Sequence, residues 1–269
     1  MTRRPSPVLV TGAAGSIGRT VVAGLLELGH EVVALDLVEA PAGSSIPWRI
    51  ADCADPQAVE QVIAETRPGA VVHLASIPRE ADLPTILDSH VRTTAALLDA
   101  MVAHGVGRIV LASSNHAVGR TPRSEILTTV VRPRPDTFYG VGKVAAEALL
   151  SLYADRHGID AVACRIGSFL EEPTSVRALS TWLSPDDAVR MVHAALTTPS
   201  PGYAVLYGIS ANTRAWWDLE PGRALGYHPE DDAEVYADRI GARAQDDAEG
   251  RWVGGPFALP EQVRPAFDR

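Results

Sequence analysis

Between Val8 and Asp36 the chain spells an apolar run, a turn with three spaced glycines, an amphipathic segment and a second apolar run that closes on an acid. No other stretch restricts the fold as tightly. Val8-Leu9-Val10-Thr11 has no polar alternation, as expected of a strand buried on both faces. Gly12-Ala13-Ala14-Gly15-Ser16-Ile17-Gly18 follows, and Ile17, Val21, Leu25 and Leu28 then recur at helical spacing until Gly29. Residues 31–36 read as a second strand. Each glycine has a physical use: one opens torsions closed to other residues, one lets main chain approach a pyrophosphate, and one lets helix pack closely on strand. The helix start offers free N–H groups and a partial positive charge to phosphates, which assigns Gly12, Gly15, Ser16, Ile17 and Gly18 to a dinucleotide. Asp36 stands 24 positions after Gly12, where an acid can bond the ribose hydroxyl pair. Its charge repels a 2′-phosphate, and neither Leu37 nor Val38 supplies a cation to accept one, so NAD is expected rather than NADP.

The alternation continues. Strands are expected at 48–51, 70–75, 108–112, 161–166 and 203–209, with helices at 56–66, 83–104, 137–156 and 184–196. Such a series predicts the α/β class: a Rossmann-type, doubly wound parallel sheet with helices on both faces. Asp52, just past the third strand, can accept from an adenine amino group or cap the helix after it. His73 inside the fourth strand reads as a core histidine. The loop 76–84 lies at a strand's carboxyl end, where open sheets of this kind place ligands. Arg79 in it either meets an anion or is solvated. Ser113-Ser114-Asn115-His116 brings four polar side chains to the end of the fifth strand, and 119–136 is a proline-bearing loop over the same crevice. After Ile166 the pattern loosens. Trp216-Trp217 reads as a packing pair, 230–247 as a charged surface helix and 264–269 as a loose tail.

Tyr139 and Lys143 are four apart, one turn from each other on one face of a helix. A phenol titrates near 10, too high to take a proton readily at neutrality. A neighbouring ammonium favours the phenolate, which suits the pair to acid–base chemistry.

The formal net charge of -9, with no long run of one sign, argues against a nucleic-acid backbone or an anionic membrane surface as partner. Cys53 and Cys164 have no metal-ligand or redox spacing, so no metal is expected and both read as buried thiols in a reducing compartment. No run of 18 apolar residues occurs and no apolar signal stretch follows Met1. A cytoplasmic location is expected.

The glycine turn with its Gly-x-x-Gly-x-x-Gly spacing, the Ser-Ser pair and the Tyr-x-x-x-Lys, in that order, resemble the extended short-chain dehydrogenase/reductase family. The resemblance covers residues 8 to about 166. It implies hydride transfer between a nicotinamide and a carbon bearing a hydroxyl, with Tyr139 as base, Lys143 holding the nicotinamide ribose, and Ser114 bonding the reacting oxygen. Ser113 is the competing serine; Ser114 stands 25 positions before the tyrosine, the family's spacing. Leu74, Ala75 and Ile166, at the ends of strands four and six, complete the expected cofactor contacts with Asp36, Asp52, Tyr139 and Lys143. The family usually self-associates through the tyrosine helix and its predecessor, implying a homo-oligomer.

A narrower likeness extends over nearly the whole chain. Ser113-Ser114-Asn115-His116, Arg165-Ile166-Gly167-Ser168, residues 177–182 and Ser210-Ala211-Asn212 with Trp216-Trp217-Asp218 are similar to uronate dehydrogenases. Those enzymes oxidise the anomeric carbon of D-glucuronate or D-galacturonate with NAD to an aldarolactone. The likeness implies sugar contacts from Ser76, Ser114, Asn115, His116, Tyr139 and Ser168, and a carboxylate clamp from Arg177. A guanidinium grips a carboxylate through two parallel hydrogen bonds; Arg177 pairing with Glu171 or Glu172 is the alternative. On this reading residues 1–269 form one Rossmann domain, with 167–184 and 210–269 supplying the substrate part. Ala75-Ser76-Ile77-Pro78 departs from the Gly-Gly and serine usual there: proline removes one hydrogen bond to the sugar, and either Ser76 or Arg79 substitutes or the substrate is a neutral aldose such as L-arabinose. A nucleotide-sugar epimerase or dehydratase of the same fold needs a larger C-terminal lobe than the 103 residues after Ile166 provide.

Overall fold

In the computed structural model, which describes residues 6–123, 126–262 and 264–267, the chain opens with β1 (Val8–Thr11), α1 (Ser16–Glu27), β2 (Val32–Asp36), β3 (Trp48–Ile50) and α2 (Pro56–Thr66). β4 (Ala70–His73) leads to one long helical stretch: α3 (Leu83–Ile86), a π-helical turn (Leu87–Arg92) and α4 (Thr93–His104). β5 (Arg108–Ser114), a 3₁₀ turn (Asn115–Val118), α5 (Phe138–His157) and β6 (Asp160–Ile166) follow. Beyond them lie β7 (Ser168–Phe169), α6 (Ala178–Thr181), β8 (Trp182–Leu183), α7 (Pro185–Thr197), β9 (Tyr203–Gly208) and α8 (Glu220–Ala224), then a 3₁₀ stretch (Ala233–Arg239) and α9 (Asp246–Glu249).

Seven strands form one parallel sheet in the order β3-β2-β1-β4-β5-β6-β9. The chain runs outward from β1 to β3, then returns to place β4 on the other side of β1. That reversal opens a crevice at the carboxyl ends of β1 and β4, the place where such sheets hold ligands. Helices cover both faces: Val59, Leu97, Met101 and Leu150 from α2, α4 and α5 pack on one, and Val21, Leu25, Met191 and Val192 from α1 and α7 on the other. β7 and β8 pair separately.

The helix starts follow their capping residues. The Asp55 carboxylate accepts from Gln57 N (3.0 Å) and Ala58 N (3.3 Å) to open α2. Thr137 Oγ1 accepts from Gly140 N at 3.0 Å for α5, and Ser184 Oγ from Asp187 N at 3.0 Å for α7. Each replaces a backbone acceptor that the first turn lacks.

Some expectations shift. Leu28 stands outside the buried stripe of α1 and is 51% exposed, because the helix ends at Glu27. The expected helix over 83–104 is continuous in path, with a π turn inside it. β5 runs two residues further than expected and takes Ser113 and Ser114 into the strand. The charged 230–247 segment packs Ala233, Tyr236, Ala237 and Ile240 against Leu179 and Trp182, but forms only the 3₁₀ stretch and the start of α9 rather than one helix. Trp216 and Trp217 are buried with Tyr207, Ile209 and Val253, as a packing pair should be. Of the expected tail, 264–267 has no helix or strand and 268–269 lies outside the described residues, as do residues 1–5.

A buried ion pair ties α5 to β6 beneath the crevice. Arg165 Nη2 donates to Glu147 Oε2 at 2.8 Å and Arg165 Nε to Oε1 at 2.9 Å, with both side chains about 95% withdrawn from solvent. Removing one partner strands the other charge in a low-dielectric interior. Glu147→Ala is therefore expected to cost about 3–5 kcal/mol of stability, read as a lower urea midpoint at unchanged slope. A loss under about 1 kcal/mol would mean the pair does not hold the helix to the sheet.

Candidate active site

A cleft of about 940 Å³ opens at the carboxyl ends of β1, β4, β5 and β6. Gly12 has φ +70°, and a Cβ there would stand 2.7 Å from Ala75 N and 2.8 Å from Leu74 C, so the first turn lies directly on the exit of β4. A Cβ on Gly18 would strike the Gly12 carbonyl. Gly15 caps α1 without a side-chain acceptor, which leaves the first helical amides, at Ser16, Ile17 and Gly18, to a ligand. The cradle fits a pyrophosphate. Asp36 Oδ2 accepts from Ala14 N at 2.8 Å and Oδ1 from Leu37 N at 2.7 Å, which fixes the carboxylate at the cleft's edge. Asp52 lines the same cleft and accepts from Ala54 N (2.8 Å), while Asp55 caps α2, so the capping alternative for Asp52 falls away. Leu74, Ala75 and Ile166 line it too, and Lys143 is the only basic side chain among the described lining residues. Arg19 donates to the Ala14 carbonyl at 2.6 Å. The described lining residues fit NAD, and the Asp36 carboxylate among them repels a 2′-phosphate.

Tyr139 and Lys143 meet the two serines at the inner end of this cleft. Neighbouring strand residues face opposite ways. Ser113 Oγ donates to Glu147 Oε1 at 2.5 Å, toward α5, whereas Ser114 Oγ donates to Asn115 Oδ1 and accepts from His116 N, both at 3.2 Å. Both serines line the cleft with Tyr139. Lys143 Nζ donates to Ala112 O (2.7 Å) and Ser76 Oγ (3.1 Å) and lies 5.4 Å from the Tyr139 ring centre. Burial holds the Lys143 ammonium down to about 7, opposed by Glu147. Burial likewise pushes the Tyr139 phenol up to about 12, with the Ser114 hydrogen bond pulling the other way. The sequence reading expected the ammonium to bring the phenol toward neutrality; within the protein alone desolvation outweighs it.

The remaining sugar-contact candidates lie beside the cleft. His116 is half-buried, its Nδ1 within 3.0 Å of both Asp136 carboxylate oxygens, its ring edge-on to Tyr139 at 5.8 Å and to Phe257 at 5.0 Å. Asn115 is buried: its amide donates to Val253 O at 3.2 Å and its oxygen accepts from Ser114 Oγ at 3.2 Å. Ser168 Oγ shares a hydrogen bond with Thr181 Oγ1 (2.9 Å). Arg177 donates to Val253 O at 2.7 Å and to Ser168 Oγ at 3.4 Å, and lines, with Arg123, Ser180 and Trp252, a separate cavity of about 330 Å³ that shares no described lining residue with the main cleft. Burial lowers its pKa to about 10 against the pull of Asp136 and Glu249. Its alternative partners are elsewhere: Glu171 is exposed and Glu172 pairs with Arg239 at 3.8 Å. Ser76 and Pro78 line the main cleft, while Arg79 is exposed and outside it.

Three side chains that no motif announces complete the surroundings. Glu80 accepts from Phe138 N (2.9 Å) and Tyr139 N (2.8 Å), binding the loop after β4 to the first turn of α5. Asp136 holds His116. His90, on the π turn, sits edge-on to Tyr139 at 5.1 Å, with Nδ1 3.1 Å from the carbonyl of Ile86, four residues back. An acid three residues before the tyrosine was a signal available for Asp136; nothing in the sequence ties Glu80 to a helix 58 positions on.

His73 and His90 are both 2% exposed, and burial, aided by Lys143, holds each down to about 3. An unfolded chain takes up these protons from pH 6.5 downward, and the folded one does not until about 3. Stability is then full above pH 6.5 and falls as the pH drops through that window, by roughly 1.4 kcal/mol per pH unit for each histidine. His90→Gln should flatten the acid limb of a Tm-versus-pH curve; an unchanged slope would remove His90 from the account.

The sequence profile of the NAD dependent epimerase/dehydratase family matches residues 8–170. A uronate dehydrogenase of Pseudomonas syringae pv. tomato is 36% identical over 255 residues, covering 93% of this chain and 92% of the relative. One of Agrobacterium fabrum is 38% identical over 256 residues, covering 93% and 96%. Among solved structures, a mutant uronate dehydrogenase of Agrobacterium tumefaciens complexed with NAD superimposes with a TM-score of 0.89 at 37% identity, covering 98% of this chain and 99% of that one.

Proposed function

This chain belongs to the NAD dependent epimerase/dehydratase family, and from that premise we propose that it is an NAD-dependent uronate dehydrogenase, oxidising the anomeric carbon of a hexuronate such as D-glucuronate or D-galacturonate to the aldarolactone. What supports this reading most is the meeting of Tyr139, Ser114 and Lys143 at the inner end of a dinucleotide cleft, with a buried arginine beyond.

NAD, when bound, supplies the hydride acceptor. Gly12, Gly15, Ser16, Ile17 and Gly18 hold its pyrophosphate, Asp36 its ribose, Asp52 its adenine, and Leu74, Ala75 and Ile166 its flanks. Tyr139, ionised beforehand with its own proton passed to solvent, takes the proton of the anomeric hydroxyl as a phenolate and becomes neutral, and Ser114 steadies the oxygen as it becomes a carbonyl. Lys143 favours the phenolate by offsetting its charge and would anchor the ribose beside it. Asn115, His116, Ser168 and Ser76 face the ring, and Arg177 turns to the carboxylate. Residues 167–184 and 210–269 build this sugar side on a single Rossmann domain.

The chain works in the cytoplasm as a homo-oligomer. Supporting this, both cysteines are buried and unpaired, and no helix among the described residues is long and apolar enough to cross a membrane. Val102 on α4 and Leu152 on α5, 39% and 41% exposed, lie on the helices expected to self-associate. NADH formation by the purified protein over a panel of uronates and neutral aldoses tests the function. Turnover with uronates far above aldoses is the expected result; the reverse preference would make it a neutral-sugar dehydrogenase.

A further inference from the structure

We propose that Asp136 is a positioning residue that fixes which ring nitrogen of His116 meets the sugar, making His116 a reader of a hydroxyl and leaving the carboxylate to Arg177. The proposal rests on the uronate reading above. The Asp136 carboxylate has no solvent exposure, and its two oxygens stand 3.0 and 2.9 Å from His116 Nδ1. Thr137 Oγ1 donates to one of them at 3.1 Å. An ionised carboxylate only accepts, so Nδ1 carries the hydrogen, and on this proposal Nε2 presents its lone pair to the sugar.

The surroundings are built for that carboxylate. A Cβ on Gly119 or on Gly254 would land on the Asp136 carboxylate, so two separate loops leave out side chains to admit it. The imidazole is held between two edges, at 82° to Tyr139 and 84° to Phe257. A ring flip would exchange Nδ1 for a carbon against a buried anion. The consequence is a sorting of the sugar's groups. A lone pair at Nε2 accepts from a hydroxyl and repels a carboxylate. Arg177, whose charge the same Asp136 favours, attracts the carboxylate. One buried acid thus gives the two ends of the sugar subsite opposite preferences.

The test compares Asp136→Asn with wild type, alone and on a His116→Ala background. The amide can donate to Nδ1 and force the proton to Nε2. KM for the preferred uronate is expected to rise about 10- to 100-fold, with kcat falling far less and NAD affinity kept. On His116→Ala the second change should add less than about twofold if the acid acts through the imidazole. An undiminished penalty there, or an unchanged KM in the single variant, overturns the proposal. Nitrogen-15 spectra of the wild-type ring give a second reading that does not depend on the variant folding: a protonated Nδ1 and bare Nε2 are expected, and the reverse tautomer overturns it. If the wild-type protein reduces NAD with no uronate, the functional reading has failed, and the ring spectra still decide the tautomer.

Discussion

Tyr139→Phe should lower kcat by about 10³-fold, within the range that a positioned acid–base group contributes. The ring keeps its edge contacts to His90 and His116, and only the hydroxyl is lost. Folding and NAD affinity should therefore stay close to wild type, read by melting temperature and by fluorescence titration. The phenol is pushed up to about 12 by burial, so it requires help to ionise during turnover. Retention of more than about a tenth of the turnover would place the base elsewhere.

Arg177→Ala carries the second large expectation: a rise of about 10²-fold in KM for uronate, in keeping with truncation of a buried charge that a ligand pairs with. Activity on any neutral aldose the protein accepts should be spared. Arg177 also donates to Val253 O, so some loss could come through the C-terminal segment instead. Arg177→Lys separates the two: a point charge without the planar fork should recover part of the uronate affinity and none of the two-pronged geometry. Equal losses on charged and neutral sugars would leave Arg177 a purely structural role.

The dinucleotide half was legible because its determinants are local. Three glycines, a helix start and an acid lie within one βαβ unit, and Gly12, Gly18 and Asp36 stand where that unit requires them. The Tyr-x-x-x-Lys spacing was legible for the same reason, since one helix turn sets it. The partner of Ser113, a buried glutamate 34 positions on, is one that no spacing rule displays. The sugar side was the least legible. Asn115, Arg177 and Phe257 come from separate segments and converge through a single carbonyl and a ring contact. Long-range convergence of that kind has no period and no motif. The tyrosine's pKa was also beyond the sequence, because the spacing supplies the cation but not the depth of burial that opposes it.

The Val253 carbonyl is held from two sides, by Asn115 at 3.2 Å and by Arg177 at 2.7 Å, and Gly254 N donates to Gly119 O at 2.9 Å, which together fix the segment that brings Phe257 to His116. On a ribosome every described residue that lines the main cleft has emerged by Phe169, whereas Val253 and Phe257, which bound the surroundings of Asn115 and His116, are made much later.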